Sequence, residues 1–462
     1  MLIRCAEIGG ALCDVRLRAG RIAELRPGLG VRPQEDVVEA AGGALLPGLI
    51  DHHIHLNAAA AAFASIRCGP PDVGTPEALA AALHAAPGEG WVRGIGYHPA
   101  VGVELDRTWL DRHGPARPVR IQHRSGRMWI FNSRAAAELG EAVPGDGRMI
   151  DGDAKLRGRL RNAPPDLAPV GAALARFGVT GLTEATARNG LADYERLARA
   201  GLAQRLLVMG GPELDEAGPL GRARRGPVKL HYHDHALPDL DELTREIARA
   251  HEKGRPVAAH CVTRAELVLI LAAIAAAGPD PGDRIEHGAV IDPDAAEWIA
   301  ALGLTVVSQP HFLVERGPEY RVDVAAEDRP FLYRLGGLKA AGIAIAAGSD
   351  APFGGLDPWR SMAAAIDRPA GFGDGGIEPE AALALFTGTA DAPGGGARKV
   401  EIGAIADLCL IDRPWHAARR SLASVVVRAT WIGGELAYAS MASTSPQASA
   451  VEAGSRFIDK AR

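Results

Sequence analysis

Cysteine is scarce and scattered in this 462-residue chain. Its five cysteines (Cys5, Cys13, Cys68, Cys261, Cys409) include no Cys-x-x-Cys pair. That excludes a thiolate metal site built on such pairs and fits a reducing cytoplasm. A charge excess of either sign is also missing. With 51 Lys and Arg against 56 Asp and Glu, a net charge of -5 and a pI near 6.3, the chain gives no electrostatic reason to expect nucleic acid or an anionic membrane as partner. No apolar run approaches the ~18 residues of a membrane-spanning helix. Residues 1–7, Met-Leu-Ile-Arg-Cys-Ala-Glu, lack the basic region and long apolar core of a secretory signal. What is present, 47% apolar and 23% charged residues, suits a water-soluble globular protein. The length suits a large barrel with an accessory domain.

Leu45-Leu46-Pro47-Gly48-Leu49-Ile50-Asp51-His52-His53-Ile54-His55 is the first stretch with chemistry in it. Read as a strand, it alternates faces, so His53 and His55 share a side about 6.6 Å apart and His52 points away. Two imidazoles so placed can converge on one metal ion, each needing a bond of only ~2.0–2.1 Å. His-x-His is common, however, and an isolated pair carries little weight.

Ahead of this stretch, residues 1–44 read as short strands and turns, with a hairpin signature over Val15 to Leu25. After it, short apolar segments recur between Ala-rich helical patterns such as Leu240 to Glu252 and Arg264 to Ala277. The segments end near Glu184, Gly210, Tyr232, His260, His287, Ser308 and Asp350. With the opening strand they make eight, which predicts an α/β chain folded as a (β/α)8 TIM-like barrel over residues 45–394. The active site of such a barrel lies at the C-terminal ends of its strands. His53, His55, Lys229, His260, His287 and Asp350 all fall at predicted strand ends, which scattered residues would not do.

Residues 60–170 break the repeat and read as an insertion after the first barrel strand, placed to shape a substrate pocket. Residues 395–440 return to strand texture, with two strands meeting across Gly433-Gly434, and are expected to join residues 1–44 in a composite β-sandwich. Residues 441–462, rich in Ala and Ser, read as a tail.

These residues together resemble the amidohydrolase superfamily. Pro47 to His55 is similar to that family's first-strand motif, Gly348-Ser349-Asp350-Ala351-Pro352 to its last-strand motif, and Gly403 to Asp412 to a segment of its C-terminal sandwich. Ser125 to Ser133, Arg284-Ile285-Glu286-His287 and Ser308-Gln309-Pro310-His311 resemble the YtcJ-like branch, which includes N-substituted formamide deformylases. The chain departs from that branch at Arg127, where a His is common. It also departs at His233-Asp234, where Asp-Gly is usual, and at Cys261 to Arg264, where a Gly-Asp pair follows the fifth-strand His.

The resemblance implies a metal-dependent hydrolase of a non-peptide C–N bond in an amide, formamide, cyclic amide or carbamate. It implies one or two divalent ions, zinc first. His53, His55 and Asp350 would hold one; His260 and His287 would hold a second or orient water and substrate. Lys229, if carboxylated, would bridge two ions, since an ammonium cannot ligate a cation; as plain lysine it would instead pair with Asp350 or polarise the substrate. Asp350 would pass the proton of a metal-activated water to the leaving nitrogen, although alone it would read as a helix N-cap. His231 shares parity with Lys229. Arg127, His233, Gln309 and His311 are substrate-pocket candidates, and Trp129, Phe131, Phe312 and Phe353 are expected near the mouth. The expected partner is a small molecule; symmetric assembly is left open. The rival readings are a heterocycle deaminase on the same scaffold and a non-catalytic binding protein. The lysine and the lack of an acid three residues after His260 count against the first, and the intact ligand set counts against the second.

Overall fold

The computed structural model describes all residues except 71, 141–142, 153–155, 157–163, 233, 374 and 441–462. The tail expected over 441–462 therefore lies outside the described residues, as do parts of the insertion.

Eight parallel strands form the central sheet in sequence order. They are β1 (Leu49–Ile54), β2 (Val179–Glu184), β3 (Arg205–Gly210), β4 (Ala223–Leu230), β5 (Val257–Cys261), β6 (Arg284–His287), β7 (Thr305–Ser308) and β8 (Ala344–Ala347). Bonds from Asp350 N to His53 O (2.7 Å) and from His55 N to Ala351 O (3.0 Å) tie the end of β8 to the end of β1 and bring the sheet round into a barrel. Gly348 permits this approach. A Cβ there would stand 2.4 Å from the His53 nitrogen, closer than any side chain allows. The strands are buried on both faces, as parallel strands wrapped by helices must be. Helices such as Leu240–Glu252 and Arg264–Ala277 pack Leu243, Ile247, Leu267 and Ile274 against Val257, Ile285 and Val306. Thr263 and Glu266 form a capping box that starts the second of these helices directly after β5.

Two further sheets flank the barrel. Strands Arg21–Arg26, Ala11–Arg18, Leu2–Ile8 and Val37–Glu39 form one, and Glu435–Ala439, Val427–Ile432, Leu408–Ile411 and Leu45–Pro47 the other. Ile3, Val15 and Ile22 of the first share a core with Leu408, Leu410 and Trp431 of the second. Residues 45–47 thus pair with Leu408–Ile411, and the barrel proper begins at Leu49.

Between β1 and β2 the chain builds a five-stranded sheet, in the order Arg148–Ile150, Met128–Phe131, Val119–His123, Val92–Tyr97, Ile66–Arg67. It carries its own core, including Leu79, Val92, Leu110, Val119 and Ile130. The turn after Val119–His123 reaches the barrel: Arg124 pairs with Glu319 (2.6 Å), and a Cβ on Gly126 would stand 2.9 Å from the Phe353 ring.

Candidate metal centre

At the C-terminal end of β1, alternation sends the rings of His53 and His55 to the same side. Each ring is oriented through its Nδ1. His53 Nδ1 donates to Glu286 Oε2, and His55 Nδ1 lies 3.1 Å from Thr186 Oγ1. This leaves both Nε2 atoms pointing at the Asp350 carboxylate, with Oδ1 at 3.5 Å from His53 Nε2 and 3.3 Å from His55 Nε2. Two ligand atoms bound tetrahedrally at ~2.0–2.2 Å stand about 3.3–3.5 Å apart, so the spacing fits donors that share one ion. Among the described residues these three side chains form a group whose ligand atoms all lie within 4.8 Å of one another. His53 Nε2 and Asp350 Oδ1 are buried and make no hydrogen bond among the described residues. Buried polar atoms are rarely left so, and a cation between them would supply the missing partner. Carboxylate or hydroxyl behind the ring and Nε2 in front is the arrangement a metal-ligating histidine needs.

The end of β8 is held as tightly. Asp51 Oδ1 accepts from the backbone nitrogens of His53 (3.1 Å) and Ser349 (2.9 Å), clamping the two strand ends together. Asp350 itself has φ +50° and His287 φ +68°, in the left-handed region that costs a non-glycine residue on the order of 1–3 kcal/mol. Such strain persists only where the surroundings over-determine it, and here it turns both side chains inward off their strand ends. Burial opposes the charge on Asp350. The contact with His55 and the rings of His53 and His287 outweigh it, so the carboxyl is held well below the usual carboxylate range.

Beside this trio stand Lys229 of β4, His260 of β5 and His287 at the end of β6. The ring centroids of His260 and His287 are 4.6 Å apart, and those of His53 and His287 are 4.8 Å apart. His287 Nδ1 is 2.9 Å from Gln309 Oε1, which again leaves Nε2 free to face the site. Lys229 Nζ is buried and makes no hydrogen bond among the described residues, and burial pushes its amine down to about 8. Burial likewise pushes His53 down to about 4 and His287 down to about 3, so both rings are neutral, the form that ligates a metal.

These side chains form the floor of a cavity of about 440 Å³. His231, just past the end of β4, lines it too, its ring 4.3 Å from that of His260. The walls include Val262, Val290, Phe312, Leu332 and Phe353, with Arg316, Tyr320 and Tyr333 adding polar groups.

The structure brings together all six strand-end residues, His53, His55, Lys229, His260, His287 and Asp350, but not all the expected pocket residues. Arg127 does not line the cavity. It sits on the insertion, exposed, and pairs with Asp151. Gln309 and His311 are buried behind the floor rather than facing substrate: Gln309 holds His287, and His311 bonds Ser361 Oγ and Ser349 O (3.1 Å each). Trp129 and Phe131 are buried within the insertion, while Phe312 and Phe353 line the cavity. His233 lies outside the described residues. Sequence reasoning assigned no role to Glu286, Thr186, Arg316, Tyr320 or Tyr333. Glu286 could have been found, since it lies beside His287 in a strand where one of the two must face the barrel interior. The other four sit in connecting segments that carry no periodic signal.

A family model described as "Amidohydrolase family" matches residues 36–438. The chain is 25% identical over 514 residues to an N-substituted formamide deformylase of Arthrobacter pascens, a match covering 92% of this chain and 94% of that protein. It is 26% identical over 408 residues to a putative amidohydrolase YtcJ of Bacillus subtilis (strain 168), covering 73% and 75% respectively. These are the family and branch whose motifs the sequence carries. An uncharacterized metal-dependent hydrolase from Pyrococcus horikoshii OT3 shares the fold, with a TM-score of 0.72 at 19% identity over 89% of this chain and 96% of that one.

Proposed function

The chain belongs to the amidohydrolase family, as a hydrolase of carbon–nitrogen bonds, and on that premise we propose that it cleaves the C–N bond of an N-substituted amide, a formamide in the first instance. The observation that carries this reading is the trio His53, His55 and Asp350. Its ligand atoms stand at tetrahedral spacing, two of them lack any other partner, and it floors a largely apolar cavity. The similarity to a formamide deformylase supports the choice of acyl group.

His53, His55 and Asp350 would hold one divalent ion, zinc being the metal best suited to imidazole and carboxylate donors in a tetrahedral set. Lys229, His260 and His287 would complete a second position. Such an ion, when bound, supplies Lewis acidity: it acidifies a water and polarises a substrate carbonyl. The chain's own residues do the rest. Asp350, ionised and facing the cavity, accepts the proton of the attacking water and returns it to the leaving nitrogen. With a single ion bound, His287, held by Gln309, and His260 would instead orient the carbonyl oxygen. The apolar wall receives the N-substituent and limits water at the reacting carbon. Lys229 joins the ligand set as its carbamate: burial favours the neutral amine that adds carbon dioxide, and Nζ is aimed among ligands with no other partner.

The test is metal analysis of protein purified without chelator, followed by a panel of N-alkyl and N-aryl formamides, N-acyl amines and hydantoins assayed for released amine. Stoichiometric zinc or manganese with turnover on at least one formamide is expected, and Lys229→Ala should lose metal and regain part of it with short carboxylates. A chain that takes up less than about 0.3 equivalents of either metal would be a binding protein on the same barrel.

A further inference from the structure

The cavity floor accounts for the reacting bond, and the cavity lining also holds polar groups that the reaction does not use. Arg316 lies between the short helices Phe312–Glu315 and Gly317–Asp323 that follow β7. Its guanidinium stacks 4.3 Å above the Phe312 ring, donates to the Phe353 carbonyl and stands beside the Tyr320 hydroxyl. Among the described residues it pairs with no carboxylate. A guanidinium offers five N–H donors in a planar fork, a geometry that matches a carboxylate. The hydroxyls of Tyr320 and Tyr333 meet at 3.2 Å. Tyr333 is held at φ +45° by a bond from its nitrogen to Ala289 O (2.8 Å), and Arg368 binds its carbonyl. As at His287 and Asp350, an unfavourable backbone conformation is spent on aiming one side chain into the cavity. Burial and the Tyr320 hydroxyl raise the Tyr333 hydroxyl well above its usual range, and both phenols line the cavity together with Arg316 and Asp350.

We infer that Arg316, Tyr320 and Tyr333 form a subsite for a carboxylate that the substrate carries next to its scissile amide. Val262, Val290, Phe312 and Leu332 line the same cavity and offer an apolar surface that suits a hydrocarbon or aromatic side chain. One guanidinium and two neutral hydroxyls balance one negative charge, which matches a carboxylate better than a phosphate dianion. The preferred substrate is thus the N-acyl derivative of an apolar amino acid. One water is consumed: its hydroxyl bonds to the acyl carbon, the C–N bond breaks, and its remaining proton goes to the amino-acid nitrogen. This assignment rests on the hydrolase reading above and narrows its substrate class.

The test compares N-formylphenylalanine with N-(2-phenylethyl)formamide, which lacks only the carboxylate, on the zinc-loaded protein. The wild type should favour the carboxylate compound in kcat/KM by about 10–100-fold, the usual worth of a charge-assisted hydrogen-bond set. Arg316→Gln should remove at least tenfold of that preference, mainly through KM. Arg316→Lys should restore part of it, and Tyr320→Phe should reduce it less. Turnover of the neutral compound with no preference for the carboxylate one overturns the subsite and leaves the hydrolase reading standing. An equal loss on both compounds in Arg316→Gln overturns it as well, since Arg316 would then only support the Phe353 wall. If neither compound is turned over, the hydrolase reading fails for formamides. The subsite is then judged by calorimetry with 3-phenylpropanoate against 3-phenylpropanol: binding of the acid alone, lost in Arg316→Gln, upholds it, and equal binding overturns it.

Discussion

His53 and Arg316 line the same cavity but are held in opposite ways. His53 is fully buried, bonded behind by Glu286, and its backbone accepts from Asp350 across the barrel seam. Glu286 is in turn bound by Arg284, whose other arm reaches the His52 carbonyl at 3.0 Å. Arg316 is half-buried on a connection between two short helices, and the Arg124–Glu319 pair brings the insertion to the second of these helices. The floor is therefore pre-organised, as an electrophilic centre must be, because a ligand displaced by a fraction of an ångström loses its ion. The wall can vary without disturbing it, which is how one barrel serves many substrates.

Substitutions at the two places should separate this contrast. Asp350→Asn has the largest effect: turnover should fall by about a thousandfold or more, with metal content falling only in part, because the proton path is lost while one ligand oxygen remains. Near-normal kcat would remove Asp350 from the proton transfer. Glu286→Gln should weaken metal affinity by about 10–100-fold with the fold retained, since His53 loses the carboxylate that fixes its tautomer. Competition against a zinc chelator measures this, and an unchanged affinity would mean that His53 is positioned by packing alone. Thr186→Ala removes one neutral hydrogen bond behind His55, worth about 1 kcal/mol, so affinity should weaken by about fivefold. The smallest effect is expected at the mouth. Arg124→Ala breaks a part-exposed ion pair and should lower stability by less than about 1 kcal/mol in a denaturant titration. A loss several times larger would show a wall as rigid as the floor.

Much of the floor is legible in the sequence. Strand alternation places His53 and His55 on one face, and the rule that barrel sites lie at strand C-termini selects Lys229, His260, His287 and Asp350 from many polar residues. The wall is not legible there, for a physical reason. Its residues come from loops and short helices, where neither a period of two nor of 3.6 operates, and their approach depends on how distant segments stack. Arg127 shows the limit. Its place beside a recognisable motif suggests substrate contact, but Asp151, 24 residues on, is its nearest counter-charge and keeps it at the surface. Gln309 and His311 show another: being close to a strand end puts a residue near the site without deciding whether it faces the cavity or the layer behind.

The sequence by itself determined the strand count, the parallel order and which side chains meet at the barrel's end, because each follows from local periodicity and from short connections that leave little topological choice. Only the tertiary structure decided that Gly348 lets β8 close against β1, that Glu286 and Thr186 stand behind the two first-strand histidines, and that Arg316, Tyr320 and Tyr333 line the same cavity. Those are contacts between residues far apart in the chain. Their energies depend on position in space, which no local pattern encodes.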